Sequence, residues 1–115
     1  MAKRLSGSIY LAKFPYSEED GAKFRPVLVV SEPRGEYELV VIAYISSRFP
    51  KEFLDTDVII DNDWQVLGLK TPSVIRLHKL TNLPVDHLPR LLGKLSNSSF
   101  TSVKQRLGDI FSLGQ

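Results

Sequence analysis

Short apolar runs rich in Val, Ile and Leu alternate along this chain with clusters of Gly, Pro, Ser and Asp. That rhythm predicts strands joined by turns. Ser8 to Phe14 reads as a first strand, followed by the polar loop Ser17-Glu-Glu-Asp-Gly21. Arg25-Pro-Val-Leu-Val-Val-Ser31 is almost continuously apolar, the pattern of a strand buried on both faces. Glu32-Pro-Arg-Gly35 predicts a turn and Tyr37 to Ser46 a long third strand. Asp57 to Asp61 predicts a short fourth, and Asn62 to Leu67 a single helical turn stopped by Gly68. Ser73 to Leu80 and Leu91-Leu-Gly-Lys-Leu95 complete the strands, the last with a glycine where the sheet bends. The period then changes. Phe100, Val103, Leu107, Ile110 and Phe111 fall at helical spacing after the capping run Ser96-Asn-Ser-Ser99.

Several short strands and one terminal helix predict a mainly β fold: a small, strongly bent, closed barrel of SH3-like type with a C-terminal α-helix packed on it. An open α/β sheet is excluded because there are too few helices to cover parallel strands. A length of 115 residues and a hydrophobic fraction of 43% fit a single domain over residues 1-115 with its own core. The absence of cysteine rules out disulfides and thiol catalysis and fits a reducing compartment. No run approaches the ~18 apolar residues of a membrane span. The opening Met1-Ala-Lys-Arg-Leu-Ser-Gly7 has basic residues without an apolar segment after them, so no signal peptide is expected and the expected location is cytoplasmic.

A net charge of +2 and a pI near 9.0 permit a nucleic-acid partner without requiring one. The distribution says more. Acids gather at Glu18, Glu19, Asp20 and at Asp55, Asp57, Asp61, Asp63, whereas Lys70, Arg76, Lys79, Arg90 and Lys94 face only Asp86. The ordinary reading of that asymmetry is a solvated surface.

Some chemistries are missing. There is no Gly-rich phosphate loop and no nucleophile elbow. His78 and His87 lack partners at metal-ligand spacing, and the aspartate string from Asp55 to Asp63 lacks the glycine and distal glutamate of a calcium loop. No metal and no cofactor is expected. Three features remain. On the strand Ser73 to Leu80, alternation puts Arg76 and His78 on one face, roughly 6.5 Å apart, with Ile75 and Leu77 on the other. A guanidinium can grip a phosphate and an imidazole can move a proton; the alternative is two surface polar residues. Arg25 opens a buried strand directly after a loop and before Pro26, near solvent yet fixed, as suits a cation that stabilises developing charge. Ser46 and Ser47 end a long apolar strand, where a hydroxyl can donate to a phosphate or simply close a turn.

Several segments together resemble the MazF/PemK toxin family. They are Gly7-Ser-Ile-Tyr-Leu-Ala-Lys-Phe-Pro15, Lys23-Phe-Arg-Pro-Val-Leu-Val-Val-Ser31, Ala43-Tyr-Ile-Ser-Ser47, Gly68-Leu-Lys-Thr-Pro-Ser-Val-Ile-Arg76 and Leu91-Leu-Gly-Lys-Leu95. The resemblance implies an SH3-like barrel acting as a homodimer, a metal-independent endoribonuclease that cuts single-stranded RNA at short sequences, and a small antitoxin protein whose disordered tail blocks the RNA groove. Operator DNA is a further partner for the toxin–antitoxin complex. By the same resemblance Arg25 matches the catalytic arginine. Ser46 matches a hydroxyl position that is usually threonine, and Arg76 matches an arginine of the PemK-like branch. His78 stands where that branch carries an aspartate. The implied reaction is attack of the RNA 2′-OH on its own phosphorus, giving a 2′,3′-cyclic phosphate and a 5′-OH. Arg25 and Arg76 would stabilise the phosphorane and Ser46 would bond a non-bridging oxygen. His78, or a group in the Ser17 to Lys23 loop, would move protons.

Selecting bases requires planar groups beside the site. Phe14, Tyr16, Phe24 and Phe49, with Lys23 and Ser47, are the candidates for RNA binding, although most aromatics in so small a chain belong to the core. The same barrel also carries non-enzymatic proteins, so a gyrase inhibitor of CcdB type, an inactive toxin homologue or a DNA-binding barrel is the competing reading. The position of the lone tryptophan, Trp64, well before the tail Ile110-Phe-Ser-Leu-Gly-Gln115, argues against a gyrase target.

Overall fold

The computed structural model describes residues 4–14 and 23–114. Six strands and one helix follow in the order β1 (Ser8–Phe14), β2 (Lys23–Val29), β3 (Leu39–Ser46), β4 (Val58–Ile60), β5 (Ser73–Pro84), β6 (Arg90–Lys94) and α1 (Asn97–Ile110), with a 3-10 turn at Val85–His87 after β5. The strands form one curled antiparallel sheet in the order β4-β5-β3-β2-β1-β6. The fold is the expected mainly β one with its C-terminal helix, but the sheet is a half-barrel. β4 and β6 are its two edges, so the ring of hydrogen bonds expected of a closed barrel stays open between them. At three residues β4 is too short to carry a full ladder, and this leaves closure to side chains and α1.

Strand alternation divides the apolar residues between two cores. Ile9, Leu28, Ala43, Ile45, Ile75 and Leu77 join Leu67, Leu69 and Leu95 on one face, where α1 adds Val103 and the partly buried Phe100, Leu107 and Ile110. Ala12, Phe14, Val27, Val29, Val40 and Ile42 make the other core, with Leu83 and Leu88. Val27, Leu28 and Val29 are all fully buried, which accounts for the continuous apolar run of β2. Four of the five side chains of the helix stripe pack as read, and the last does not. Phe111 caps α1 and is exposed, and the helix starts where the Ser96 hydroxyl accepts from the Ser99 amide at 3.1 Å.

β5 runs four residues past its expected end because it has to bend. It pairs with β4 and the end of β3 through Ser73 to Arg76, then resumes with Leu80 opposite Ala43, leaving Leu77, His78 and Lys79 in a bulge. The Asn62 to Leu67 segment makes the expected turn and ends in a Schellman arrangement. The Leu69 amide donates to the Trp64 carbonyl at 2.9 Å and the Gly68 amide to that of Gln65 at 3.0 Å. Gly68 has φ +78°, and a Cβ there would meet the Leu92 carbonyl at 2.4 Å. A Cβ on Gly93 would likewise meet the Leu67 carbonyl at 2.7 Å, so two glycines let the turn lie directly on β6.

The start of the described chain is tied down by a carboxylate. The Leu5 and Ser6 amides donate to Glu32 at 3.1 and 2.8 Å. Desolvation raises the Glu32 pKa, but the hydrogen bonds from Ser6 and Leu5 and the charge of Arg4 outweigh it, so the group sits below its ordinary value. Among the described residues no helix is long and apolar enough to cross a membrane.

Candidate functional site

The β2–β3 ladder ends with Val27 opposite Tyr44. Arg25 and Ser46 each stand two residues beyond that pair along their strands, where the ladder between β2 and β3 has ended. Both line a cleft of about 560 Å³ together with Phe24, Pro26, Ser47 and Arg48, the segment Gly68 to Thr71, Ser73, and Arg90 and Leu92 of β6. The Schellman turn carries Lys70 and Thr71 to the cleft, and the contact between Gly68 and Leu92 brings β6 alongside.

Four cations, Arg25, Arg48, Lys70 and Arg90, therefore share one cleft with the hydroxyls of Ser46, Ser47, Thr71 and Ser73, and among the described residues no carboxylate lines it. Arg25 is exposed, and among the described residues its guanidinium makes a long bond to the Phe24 carbonyl at 3.4 Å. The Ser46 hydroxyl donates to the Arg48 carbonyl at 3.1 Å and accepts from the Arg48 amide at 3.0 Å, closing the turn that holds Arg48 at the rim. Both readings of that hydroxyl meet in one residue: it makes the turn and lines the cleft. The arrangement is built for a polyanion.

The other half of the expected site lies elsewhere. Arg76 and His78 are not among the cleft residues. Arg76 Nε donates to Asp57 Oδ1 at 2.9 Å, an ion pair whose carboxylate is almost fully buried, and His78 Nδ1 lies 2.6 Å from Thr56 Oγ1. Ile75 and Leu77 are buried as alternation requires. Arg76 and His78 reach the same neighbouring pair, Thr56 and Asp57, and α1 secures that segment as Arg106 donates to the Asp55 and Asp57 carbonyls at 3.0 and 2.7 Å. Asp57 is therefore engaged by Arg76 and by the Leu54 amide. Among the described residues no three potential metal ligands converge.

The aromatic candidates divide in the same way. Phe24 is half-exposed in the cleft. Phe14 is a correction: it is 4% exposed and stacks on Tyr44 at 5.5 Å, so it serves the core rather than offering a face to a base. Phe49 is half-exposed outside the cleft and packs edge-on against Phe53. Lys23 is exposed at the start of β2, opposite Phe14 and outside the cleft lining, whereas Ser47 is in it. Tyr16 and the loop from Ser17 to Gly21 lie outside the described residues. Arg48 and Thr71 were missed by sequence reasoning; Lys70 and Arg90 stood out only as members of a basic stretch, without a sign that folding joins them to Arg25.

Comparison with known proteins bears on the family and the fold. No curated protein sequence gives a significant match. Among solved structures, the Mycobacterium tuberculosis toxin MazF-mt6 is 28% identical, with a TM-score of 0.68 over 94% of this chain and 99% of that one. An endoribonuclease in complex with its cognate antitoxin from Mycobacterial species shares 17% identity and a TM-score of 0.68, covering 98% of this chain and 99% of that one. A MazE-MazF complex from Deinococcus radiodurans, also at 17%, gives 0.67 over 95% and 96%. At 17% identity the last two speak to the fold alone. The model of the PemK-like, MazF-like toxins matches residues 5–111. A match over so much of the chain, on a half-barrel of the same shape, makes this protein a member of the PemK-like, MazF-like toxin family of type II toxin-antitoxin systems.

Proposed function

We propose that the protein is a metal-independent endoribonuclease that cuts single-stranded RNA in the cytoplasm at a short preferred sequence, with Arg25 as its principal catalytic residue. The observation that carries this reading is the convergence of Arg25 and Ser46 on one cleft with three further cations and, among the described residues, no carboxylate. In the reaction the 2′-oxygen of the substrate forms a bond to the adjacent phosphorus as its proton departs. The bond from phosphorus to the 5′-oxygen breaks, and that oxygen gains a proton. The products are a 2′,3′-cyclic phosphate and a 5′-OH. Arg25 stabilises the extra negative charge of the phosphorane, worth about 3–4 kcal/mol for a well-placed donor. Ser46 turns its hydroxyl from the Arg48 carbonyl to a non-bridging oxygen, and Arg48, Lys70 and Arg90 hold neighbouring phosphates. Phe24 stacks on a base. Proton transfer is not assigned to His78, which Thr56 engages away from the cleft.

The requirement for a 2′-OH makes DNA inert as substrate. In this reading the active form is a homodimer, a small antitoxin neutralises it by covering the cationic cleft, and the complex of the two binds operator DNA. The test is cleavage of a long single-stranded RNA in excess EDTA by wild type and Arg25→Ala, with the ends mapped. Discrete cuts with cyclic phosphate ends, lost in the variant, are expected. Full cutting by Arg25→Ala, or none by folded wild type across varied RNAs, would overturn the assignment in favour of a barrel that only binds.

A further inference from the structure

A second cleft, of about 340 Å³, opens where the chain start, the end of β6 and the first turns of α1 meet. Arg4, Lys94 and Lys104 line it with the polar side chains of Ser6, Asn97 and Thr101, and among the described residues none that lines it is acidic. The three cations come from three separate segments, and among the described residues no salt bridge engages any of them. The charge of Arg4 acts on Glu32, whose oxygens already accept from the Leu5 and Ser6 amides.

The walls are fixed by the backbone. Glu32 clamps residues 5 and 6. The Gly7 amide donates to the Val29 carbonyl at 2.8 Å, and the Leu95 amide donates to that of Gly7 at 2.9 Å. Gly7, at φ +89°, lies so close to the Phe100 ring that a Cβ would stand 3.3 Å from it, and Lys104 Nζ sits 5.3 Å from the ring centre. The aromatic surface is thus already occupied by Gly7 and Lys104, which leaves charge and hydrogen-bond donors to meet a ligand.

β6 joins the two clefts. Arg90 and Leu92 line the first and Lys94 the second, a run of roughly 13 Å at the rise of a strand. At a stacked spacing of ~3.4 Å, no more than about four nucleotides bridge that distance. We propose that the second cleft holds a backbone phosphate of the RNA strand whose reacting phosphate occupies the first, fixing the strand's direction and register across the protein. This rests on the ribonuclease reading for the identity of the strand. An acidic peptide fits the charge, but with the Phe100 ring occupied the cleft has no open aromatic surface to anchor one.

The test measures binding of 2′-O-methyl oligoribonucleotides, which cannot be cut, by wild type and by Lys94→Gln/Lys104→Gln. One oligonucleotide is just long enough to fill the first cleft and the other is several nucleotides longer. Wild type should bind the longer oligonucleotide about tenfold more tightly, and the double variant should lose that advantage at unchanged Tm. Its plot of log affinity against log salt for the longer oligonucleotide should be shallower by about 0.7, the release expected for one phosphate contact on a single strand. Equal affinity of wild type and variant for the longer oligonucleotide overturns the proposal. So does competition by a glutamate-rich peptide of the same charge at equal concentration, which makes the cleft a peptide site. Displacement of the extra affinity by inorganic phosphate at millimolar concentration makes it a free-phosphate site and overturns it too. If wild type binds neither oligonucleotide and cuts no RNA, the ribonuclease reading has failed; if it cuts normally and only the length advantage is absent, this inference alone has.

Discussion

Two arginine-bearing regions of this protein use the same chemistry to opposite ends. In the first cleft Arg25 is exposed and shares its space with three other cations and, among the described residues, no carboxylate. At the junction of β5 with the 55–57 segment, Arg76 is paired with the buried Asp57, and His78 with Thr56. Cations gathered without counter-charge repel one another and lower their free energy only when an anion arrives. A cation already facing a buried carboxylate has its partner inside the fold, and removing either member leaves a charge without one. A guanidinium on a strand is legible in a sequence; which of these two conditions it meets is decided by what the fold sets opposite.

The sharpest way to break that contrast is Arg25→Ala. Cleavage should fall about 10²–10³-fold while the Tm moves by no more than about 2 °C, since no buried group depends on it. Asp57→Ala should do the reverse. It strands Arg76 and frees the Leu54 amide, and should cost about 3 kcal/mol, a fall in Tm near 12 °C, with cleavage per folded molecule preserved. Calorimetry beside a fixed-temperature assay separates the two; a silent Tm with abolished cutting would move Arg76 back into the chemistry. Gly68→Ala should lower stability by roughly 2 kcal/mol through its positive φ and the clash with Leu92, and should weaken RNA binding because Lys70 and Arg90 are positioned through that contact. Denaturant melts and a binding titration on the same preparation report both effects.

The smallest effect belongs to Glu32. Its pKa is depressed, so its stabilisation is complete above the ordinary carboxylate value and is lost as pH falls through the lower folded value. Protection of the Leu5 and Ser6 amides should decline in that acid range, and Glu32→Gln should abolish the dependence. Unchanged protection through the range would show that the clamp does not depend on the charge.

Much of this architecture was readable beforehand because period and punctuation carried it. The limits of β1, the doubly buried β2, the Gly68 stop and the Ser96 cap all follow from local rules. The extension of β5 did not: alternation breaks at Lys79, which has the parity of Ile75 and Leu77, but such a break does not tell a bulge from the end of a strand. The open seam was hidden for a similar reason, since β4 reads as a strand whether or not it finds a second partner. At the site, the resemblance of the Arg25 and Ser46 segments to known toxins pointed to two residues that the fold places in one cleft. It also brought in Arg76 and His78, whose partners Asp57 and Thr56 sit about twenty residues away, a pairing that no spacing rule encodes. Arg48 and Thr71 were invisible because a hydroxyl-closed turn and a Schellman turn deliver them, and neither turn announces what it will face.

The pairing of β1 with β6 has a consequence in time. Ser8 lies beside Lys94, so the first strand waits for nearly the whole chain before its second neighbour exists. Joining segments so distant pays a loop-closure entropy before any contact rewards it, and such non-local pairing slows folding. Arg90 and Leu92 arrive on that same late strand. A chain still being made thus lacks one wall of its cationic cleft until its final quarter has emerged, and the finished cleft appears only when the whole domain does.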